Sequence, residues 1–163
     1  MKQIYNLRRA VLGDEGLLLS WANDLEVRRQ AINQKRISIA DHKKWFRQKL
    51  RDPLVSIFIL EMNYISVGQF RYELVGKEAI LDYSLASEHR GQGLGAVLLA
   101  KGINIIECSH PQVSINAEIK ERNDASKSAL LKVGFKKVGS GSGAGLSLFR
   151  LDRNPHSERG IDS

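Results

Sequence analysis

The sequence Arg90-Gly91-Gln92-Gly93-Leu94-Gly95 stands between a segment typical of a strand and a segment typical of a helix. Glycine adopts positive φ angles without strain, and its missing side chain lets a ligand approach the backbone closely. At the start of a helix, several backbone N–H groups are available to bind a phosphate group without a metal ion. The hexapeptide therefore favours a phosphate-binding turn, although a tight turn without a ligand would use the same residues.

Two common nucleotide-binding loops do not fit this turn. The dinucleotide fingerprint spaces its glycines as Gly-x-Gly-x-x-Gly and needs an acidic residue after the next strand, whereas the glycines here occupy positions 91, 93 and 95. A Walker A loop ends in Gly-Lys-Ser or Gly-Lys-Thr, which this segment lacks. Both loops are therefore poor fits to this turn.

The hydrophobic pattern on both sides of the turn predicts one mixed α/β domain. Before the turn it predicts strands at about residues 3–9, 55–62, 65–74 and 79–85, with helices between the first two strands. After the turn it predicts a helix to about residue 107, a strand over 113–120, a helix over 123–132, and strands starting at residues 135 and 146. Asp14 is expected to cap the first helix. The domain is expected to span residues 1–151, with a polar tail over 152–163.

Composition and charge narrow the classes of function. The chain has 163 residues, of which 42% are hydrophobic and 26% charged, the balance of a soluble globular domain. It lacks the run of about 18–20 apolar residues that a membrane helix needs and the apolar block of a signal peptide, so a cytoplasmic location is expected. The net charge of +7 favours an anionic partner. Charge alone does not choose the partner, although the lack of a dense basic run disfavours a nucleic acid.

The turn and the segments after it resemble the acetyl-CoA site of the GNAT N-acetyltransferases. Their loop pattern is Arg/Gln-x-x-Gly-x-Gly/Ala, and Arg90, Gly93 and Gly95 match it. Asn123, followed eleven and twelve residues later by a Gly-Phe pair, is similar to the next motif of the family. The resemblance covers residues 3–150. It implies the GNAT acyl-CoA N-acyltransferase fold: a central, mostly antiparallel sheet of six or seven strands flanked by helices and splayed at the strand before the turn.

The resemblance implies transfer of an acetyl group from acetyl-CoA, used as a co-substrate, to a primary amine by direct attack in a ternary complex without a metal. It implies that the backbone of the turn holds the pyrophosphate and that Leu85 bonds the pantetheine arm. Asn123, which also fits a plain helix N-cap, would contact that arm as well. The implied cofactor-binding residues are Leu85, Arg90, Gly91, Gln92, Gly93, Leu94, Gly95, Asn123 and Ser126. No covalent intermediate is expected, because the single cysteine, Cys108, lies in an apolar helix where a buried thiol is unreactive.

The sequence departs from the family at the group that reprotonates the leaving thiolate. Many members carry a tyrosine four residues before the Gly-Phe pair, where this chain has Leu130. Tyr83 is a candidate replacement, or else a core residue with a satisfied hydroxyl. Glu118, on the polar face of its strand, is the first candidate for the base that deprotonates the amine, followed by Asp82 and Glu121. The alternative for Glu118 is a carboxylate that only faces solvent.

The N-terminal half resembles acetyltransferases that act on UDP-4-amino sugars in pseudaminic acid-type synthesis. The similarity rests on Trp21-Ala22-Asn23-Asp24, on Val27-Arg28, on His42 with Trp45, and on Gly68-Gln69-Phe70-Arg71. It implies a nucleotide-linked amino sugar as the acceptor. Arginine and histidine donors suit a diphosphate, so the predicted acceptor-binding residues are Arg28, His42, Gln69 and Arg71.

Several alternatives remain open at this point. A protein N-terminus or another small amine is an alternative acceptor, because a Trp-x-x-Asp start also occurs in acetylases of ribosomal-protein N-termini. A non-catalytic acyl-CoA-binding module is favoured only by the leucine at position 130, and a nucleic-acid-binding protein only by the charge. Trp21, Trp45 and Phe46 fit a hydrophobic core more simply than a binding site. Pairing at a sheet edge would allow a homodimer.

Overall fold

The computed structural model describes residues 2–153 of the chain. Its strands are β1 (Tyr5–Arg9), β2 (Val55–Met62), β3 (Ile65–Val75), β4 (Glu78–Leu85), β5 (Ser114–Lys120), β6 (Phe135–Ser140) and β7 (Leu146–Leu151). Its helices are α1 (Glu15–Ala22), α2 (Leu25–Gln30), α3 (Ile39–Arg51), α4 (Leu94–Ser109) and α5 (Asp124–Lys132). Each strand predicted from the sequence is present, with ends within two residues of those predicted. From residue 154 onward, the predicted polar tail lies outside the described residues.

The strands form one sheet in the order β1-β2-β3-β4-β5-β7-β6. All neighbouring strands are antiparallel except β4 and β5, which run parallel. The pairing of β4 with β5 ends at Leu81 and Ala117, so residues 82–85 and 118–120 diverge and leave a gap in the sheet. This arrangement confirms the predicted fold class, including the splay at the strand before the Gly-rich turn.

Helices cover both faces of the sheet. On one face, α4 packs so closely on β3 that a Cβ atom at Gly102 would lie 2.4 Å from the ring of Phe70. On the other face, α1 and α3 bury Trp21 and Phe46 in a second core, as expected for core residues. Because α4 is fixed against the sheet, the Gly-rich turn at its start is held at the gap between β4 and β5.

Two residues differ from the expectation. Asp14 does not cap α1; its carboxylate accepts hydrogen bonds from Val11 N (2.8 Å) and from both terminal nitrogens of Arg8 (2.9 Å each), because a two-pronged ion pair is stronger than one neutral bond. Cys108 is exposed rather than buried. It lies two positions after the buried Ile106, which is about 200° around the helix and therefore on the opposite side.

Candidate functional site

One cavity of about 990 Å³ passes through the gap between β4 and β5. The Gly-rich turn and the starts of α4 and α5 line one end of it, and α1, α2 and α3 line the other. Fifteen of the seventeen residues predicted above for catalysis, cofactor binding and acceptor binding line this cavity. The exceptions are Glu121 and Gln92, and the exposed side chain of Gln92 donates a hydrogen bond to the carbonyl of Glu88 (3.2 Å). The fold thus gathers residues from both halves of the chain into a single site.

The Gly-rich turn has the backbone conformation that its sequence predicts. Gly91 and Gly93 have φ angles of 72° and 76°, in the region that favours glycine. A Cβ atom at either position would meet nothing within 4 Å, so the backbone conformation, not crowding, favours glycine. Gly93 directly precedes α4, and no side chain caps the helix there. The N–H groups of the first turn are therefore available to an anionic ligand.

The guanidinium of Arg90 is already engaged within the protein. Its Nε and Nη2 atoms donate to the carbonyl of Leu85 (3.2 and 3.0 Å), the last residue of β4. Its Nη2 atom also donates to Asp24 Oδ1 (2.6 Å) on the acceptor side. Arg90 therefore holds the end of β4 in place beside the turn, whatever contact it makes with a ligand.

The tyrosine proposed as the acid, Tyr83, lies beside the Gly-rich turn, where a Cβ atom at Gly95 would be 3.8 Å from its ring. Its hydroxyl is buried and has no hydrogen-bond partner in the described part of the chain. Burial raises the pKa of this hydroxyl above its ordinary value. Ser126 lies near enough to stabilise the ionised oxygen and partly opposes the rise, although its geometry does not make a hydrogen bond to the neutral hydroxyl. Leu130, at the usual tyrosine position, is fully buried in the core and faces away from the cavity. Asn123 caps α5 by accepting a bond from Ser126 N (3.2 Å), so the capping role is confirmed.

Two carboxylates stand where β4 and β5 part. Asp82 and Glu118 directly follow the last paired residues, and both line the cavity. Glu118 accepts hydrogen bonds from Ser142 N (2.9 Å) and Ser142 Oγ (2.7 Å), which fix its position. Asp82 accepts a hydrogen bond from Gln69 Nε2 (3.2 Å) and pairs with Arg71 (3.4 Å). The third base candidate, Glu121, does not line the cavity.

The acceptor end of the cavity combines aromatic rings with polar groups. The guanidinium of Arg71 lies 5.1 Å above the ring of Trp45, a cation–π contact that leaves its other donors available. His42 is 3% exposed and stacks on Phe46 at 5.8 Å. The Nδ1 atom of His42 has no hydrogen-bond partner within residues 2–153. Arg28 also lines the cavity, but its guanidinium donates to three carbonyl groups, those of Ala22 at the end of α1 and of Asn33 and Lys35 in the loop after α2.

Replacing His42 by phenylalanine should weaken the acid dependence of stability. Burial lowers the pKa of His42, with Glu15 partly opposing that effect. A histidine whose pKa is lowered by folding binds protons more readily in the unfolded chain. Its contribution to the free energy of unfolding is therefore present above about pH 6.5 and is lost as the pH falls through the pKa of the folded state. The Tm, measured between pH 7 and pH 5, should fall less in H42F, which keeps the stacking on Phe46, than in the wild type. An equal fall would contradict this assignment.

Sequence reasoning missed several contacts that shape the site. Asn23 and Ile37 exchange two hydrogen bonds, Asn23 Nδ2 to the Ile37 carbonyl (2.9 Å) and Ile37 N to Asn23 Oδ1 (2.8 Å), which close the loop between them. The roles of Asp24 as a partner of Arg90 and of Ser142 as a partner of Glu118 were also missed. The Trp21-Ala22-Asn23-Asp24 series was recognised as a motif, but its sequence does not indicate that Asp24 pairs with Arg90, 66 residues further along the chain.

Two further findings concern residues 2–153 only. No three His, Cys, Asp or Glu side chains there are grouped so that they could hold a metal ion. In the same part of the chain, no helix has both the length and the apolar character that crossing a membrane requires.

Solved structures of acetyltransferases have similar folds. The aminoglycoside acetyltransferase AAC(6')-Ib, in complex with ribostamycin and coenzyme A, has a TM-score of 0.80 and 18% identity, over 98% of this chain and 99% of that chain. The spermidine N-acetyltransferase from Vibrio cholerae, in complex with CoA and spermine, has a TM-score of 0.78 and 15% identity, over 90% and 92%. The ribosomal L7/L12 α-N-protein acetyltransferase RimL, in complex with coenzyme A, has a TM-score of 0.76 and 13% identity, over 90% and 92%. These identities are low, so the likeness shows the fold alone. No curated protein sequence matches this chain.

The sequence also matches a family model directly. The model of the acetyltransferase (GNAT) domain matches residues 5–136, from β1 to the start of β6. That range covers most of the chain and includes the Gly-rich turn, the gap between β4 and β5, and α5. It confirms the resemblance inferred from the turn and from the Asn…Gly-Phe motif. The chain belongs to the acetyltransferase (GNAT) domain family.

Proposed function

We propose that this protein transfers the acetyl group of acetyl-CoA directly to the primary amine of a nucleotide-linked amino sugar. The observation that carries the proposal is the continuous cavity through the sheet. A turn suited to phosphate lies at one end, an aromatic and basic surface lies at the other, and two carboxylates lie between them. Such a cavity lets two substrates meet without a covalent enzyme intermediate. Cys108, the single cysteine, does not line it.

On the cofactor side, we assign the pyrophosphate of acetyl-CoA to the backbone N–H groups of the Gly-rich turn. The pantetheine arm would run along the end of β4 at Leu85, toward Asn123 and Ser126 at the start of α5. The fit is favourable because the turn is uncapped and the first turn of α4 contains no acidic residue. AAC(6')-Ib and the spermidine N-acetyltransferase, which share the fold, are structures with coenzyme A bound, and this supports the assignment.

In the proposed reaction, the amine nitrogen attacks the thioester carbonyl, a C–N bond forms, and the C–S bond then breaks. Glu118 accepts the proton that the amine loses, directly or through water, with Asp82 as the second candidate. The CoA thiolate leaves and takes a proton from Tyr83 or from water. A thiol with an ordinary pKa of about 8.5 needs only modest help from an acid near neutral pH.

The anionic nature of the acceptor is supported by where the positive charge lies. Residues 28–51 contain one acidic residue, Asp41, and nine basic residues: Arg28, Arg29, Lys35, Arg36, Lys43, Lys44, Arg47, Lys49 and Arg51. This single segment therefore carries a net charge of +8, whereas the whole chain carries +7. Part of this segment, including Arg28, His42 and Trp45, lines the acceptor end of the cavity. Its field should attract an anionic acceptor and repel a polyamine.

The phosphate contacts of the acceptor would come mainly from Arg71 and from Lys35 and Arg36 near the cavity rim. Lys35 and Arg36 are exposed and make no ion pair within residues 2–153. Arg28 would act mainly by holding its loop, because backbone carbonyls already take its donors. The side chains of His42 and Gln69, which both line the cavity, would bond hydroxyl groups of the sugar.

The proposal is tested by measuring CoA release from acetyl-CoA with four amines: a UDP-4-amino sugar, an aminoglycoside, spermidine and a peptide with an unblocked N-terminus. We expect the highest kcat/KM for the UDP-4-amino sugar, with a KM that rises as salt is added because the attraction is screened. A higher kcat/KM for spermidine or the aminoglycoside would contradict an anionic acceptor, and a preference for the peptide would favour the alternative acceptor. Binding of acetyl-CoA without release for any amine would favour a non-catalytic module.

Tyr83→Phe should separate activity from stability. The hydroxyl of Tyr83 is buried without a partner, and such a group costs free energy of folding, so its removal should leave the Tm unchanged or raise it. If Tyr83 protonates the thiolate, kcat should nevertheless fall by about tenfold, less than the ~100-fold typical of general acid catalysis because a thiolate near neutral pH needs little help from an acid, with the Kd for acetyl-CoA unchanged. Thermal unfolding and steady-state kinetics measure the two effects. A variant as active as the wild type would assign the proton to water instead.

A further inference from the structure

Asp24 links the acceptor side of the molecule to the cofactor side. Its Oδ1 atom accepts hydrogen bonds from Glu26 N (3.1 Å) and Val27 N (3.2 Å), which cap α2, and from Arg90 Nη2 (2.6 Å). Burial alone would raise the pKa of Asp24, but these bonds, above all the one from Arg90, lower it below its ordinary value. Asp24 is therefore a carboxylate held in one place by partners from two regions of the chain.

The same guanidinium of Arg90 fixes the end of β4. Two of its nitrogens donate to the carbonyl of Leu85 (3.2 and 3.0 Å), where β4 has already separated from β5. No strand-to-strand hydrogen bonds from β5 support this part of β4. β3 pairs with β4 on its other side, as far as Gly68 opposite Leu85, so the Asp24–Arg90 pair supplies an anchor on the side that β5 leaves open.

The other end of α2 is tied to the opposite strand. Lys120 Nζ, on the diverging end of β5, donates to the carbonyl of Arg29 (2.7 Å). α2 consequently bridges the gap. Asp24 contacts Arg90, which holds the end of β4, and Arg29 contacts Lys120 at the end of β5. The α2 residues Glu26, Val27 and Gln30 line the cavity, so α2 contacts both sides of the gap and also contributes to the surface that faces the acceptor.

We infer that Asp24 is a positioning residue for acetyl transfer: through Arg90 it holds the Leu85 carbonyl and the start of the Gly-rich turn in place for acetyl-CoA, and so couples the two substrate sites. The inference rests on the proposed function, because it assigns acetyl-CoA to that turn. Coupling between sites is reciprocal. A bound acceptor should therefore tighten acetyl-CoA binding by the same factor by which acetyl-CoA tightens acceptor binding.

The substitution Asp24→Asn isolates the ion pair from the helix cap. Asparagine caps a helix about as well as aspartate, so α2 should keep its start while Arg90 loses its charged partner. We expect the Kd for acetyl-CoA, measured by calorimetric titration, to rise about fivefold, the loss typical of a half-buried ion pair. In an Arg90→Gln background, Asp24→Asn should add no further loss.

Ser38→Ala is the matched control. Ser38 caps α3 by accepting a bond from Asp41 N (3.0 Å), does not line the cavity and makes no contact with Arg90. S38A should lower the Tm while leaving the Kd for acetyl-CoA unchanged, which separates loss of stability from loss of positioning.

Two results would overturn the inference in distinguishable ways. If the wild type binds acetyl-CoA and D24N binds it equally well, or if the effects of D24N and R90Q simply add, Asp24 does not position the turn although the proposed function stands. If the wild type itself fails to bind acetyl-CoA, the proposed function falls and the inference falls with it.

Discussion

Replacing Gly93 by alanine is expected to weaken acetyl-CoA binding by about 100-fold. Gly93 has a φ of 76° and precedes the uncapped start of α4. An alanine there either strains the backbone by about 1–2 kcal/mol or changes the turn, which redirects its N–H groups. Loss of two hydrogen bonds to a charged phosphate corresponds to roughly the 2.7 kcal/mol that a 100-fold change in Kd represents. Calorimetric titration with acetyl-CoA measures the effect.

The chain offers a closely matched control in Gly76. Gly76, in the turn between β3 and β4, has a φ of 59°, and a Cβ atom there would also meet nothing within 4 Å. G76A should therefore lower the Tm by about as much as G93A, a few degrees for a domain of this size. Because Gly76 does not line the cavity, G76A should bind acetyl-CoA like the wild type. Equal binding by both variants would show that the phosphate lies elsewhere.

Replacing Glu118 by glutamine is expected to lower kcat by about 100-fold, the lower end of the range for a general base. The Kd for acetyl-CoA should not change, because Glu118 lies at the gap and not in the turn. Glutamine keeps one oxygen that can accept a bond from Ser142, so the Tm should fall only slightly. The difference in kcat between E118Q and the wild type should shrink as the pH is raised toward the pKa of the amine, because a growing fraction of the substrate is then already deprotonated. Steady-state kinetics across pH measures this.

Asp82→Asn tests the choice between the two carboxylates. Asp82 follows the last paired residue of β4 as Glu118 follows that of β5, but its partners are Arg71 and Gln69. We expect D82N to raise the KM for the acceptor more than it lowers kcat, because it releases those two side chains. A larger fall in kcat for D82N than for E118Q would assign the base to Asp82.

Much of the fold followed from local patterns. A continuous apolar run located β2, alternation of apolar and polar residues located β5, and the glycines at alternate positions identified the turn at the start of α4. The same patterns do not predict whether a particular helical residue faces the core or the solvent. The α4 segment is apolar overall, so Cys108 was expected to be buried, yet it lies on the side away from the core. In the same way, the sequence showed that Leu130 replaces a tyrosine but not that this position is buried in the core.

The contacts that organise the candidate site were beyond local patterns. The Asp24–Arg90 pair joins residues 66 positions apart, and Ser142 meets Glu118 across 24 positions. Neither pair has a periodicity or spacing that marks it, because each depends on how α2 and the β6–β7 loop are placed over the gap. Resemblance to known motifs identified residues that line the cavity. The partners that hold those residues in place could be identified only from the three-dimensional structure.

The most direct test of the account is whether acetyl-CoA binds at the Gly-rich turn. Thermal unfolding of the wild type, G93A and G76A should be measured with and without acetyl-CoA, with ATP and NAD as comparison ligands. At about 100 times its Kd, acetyl-CoA should add about 2.7 kcal/mol and raise the Tm of the wild type and of G76A by roughly 5–10 °C. At the same concentration, the Tm of G93A should rise little, and ATP and NAD should have no comparable effect on any of the three. No shift at millimolar acetyl-CoA, or an equal shift in G93A, would contradict the central claim.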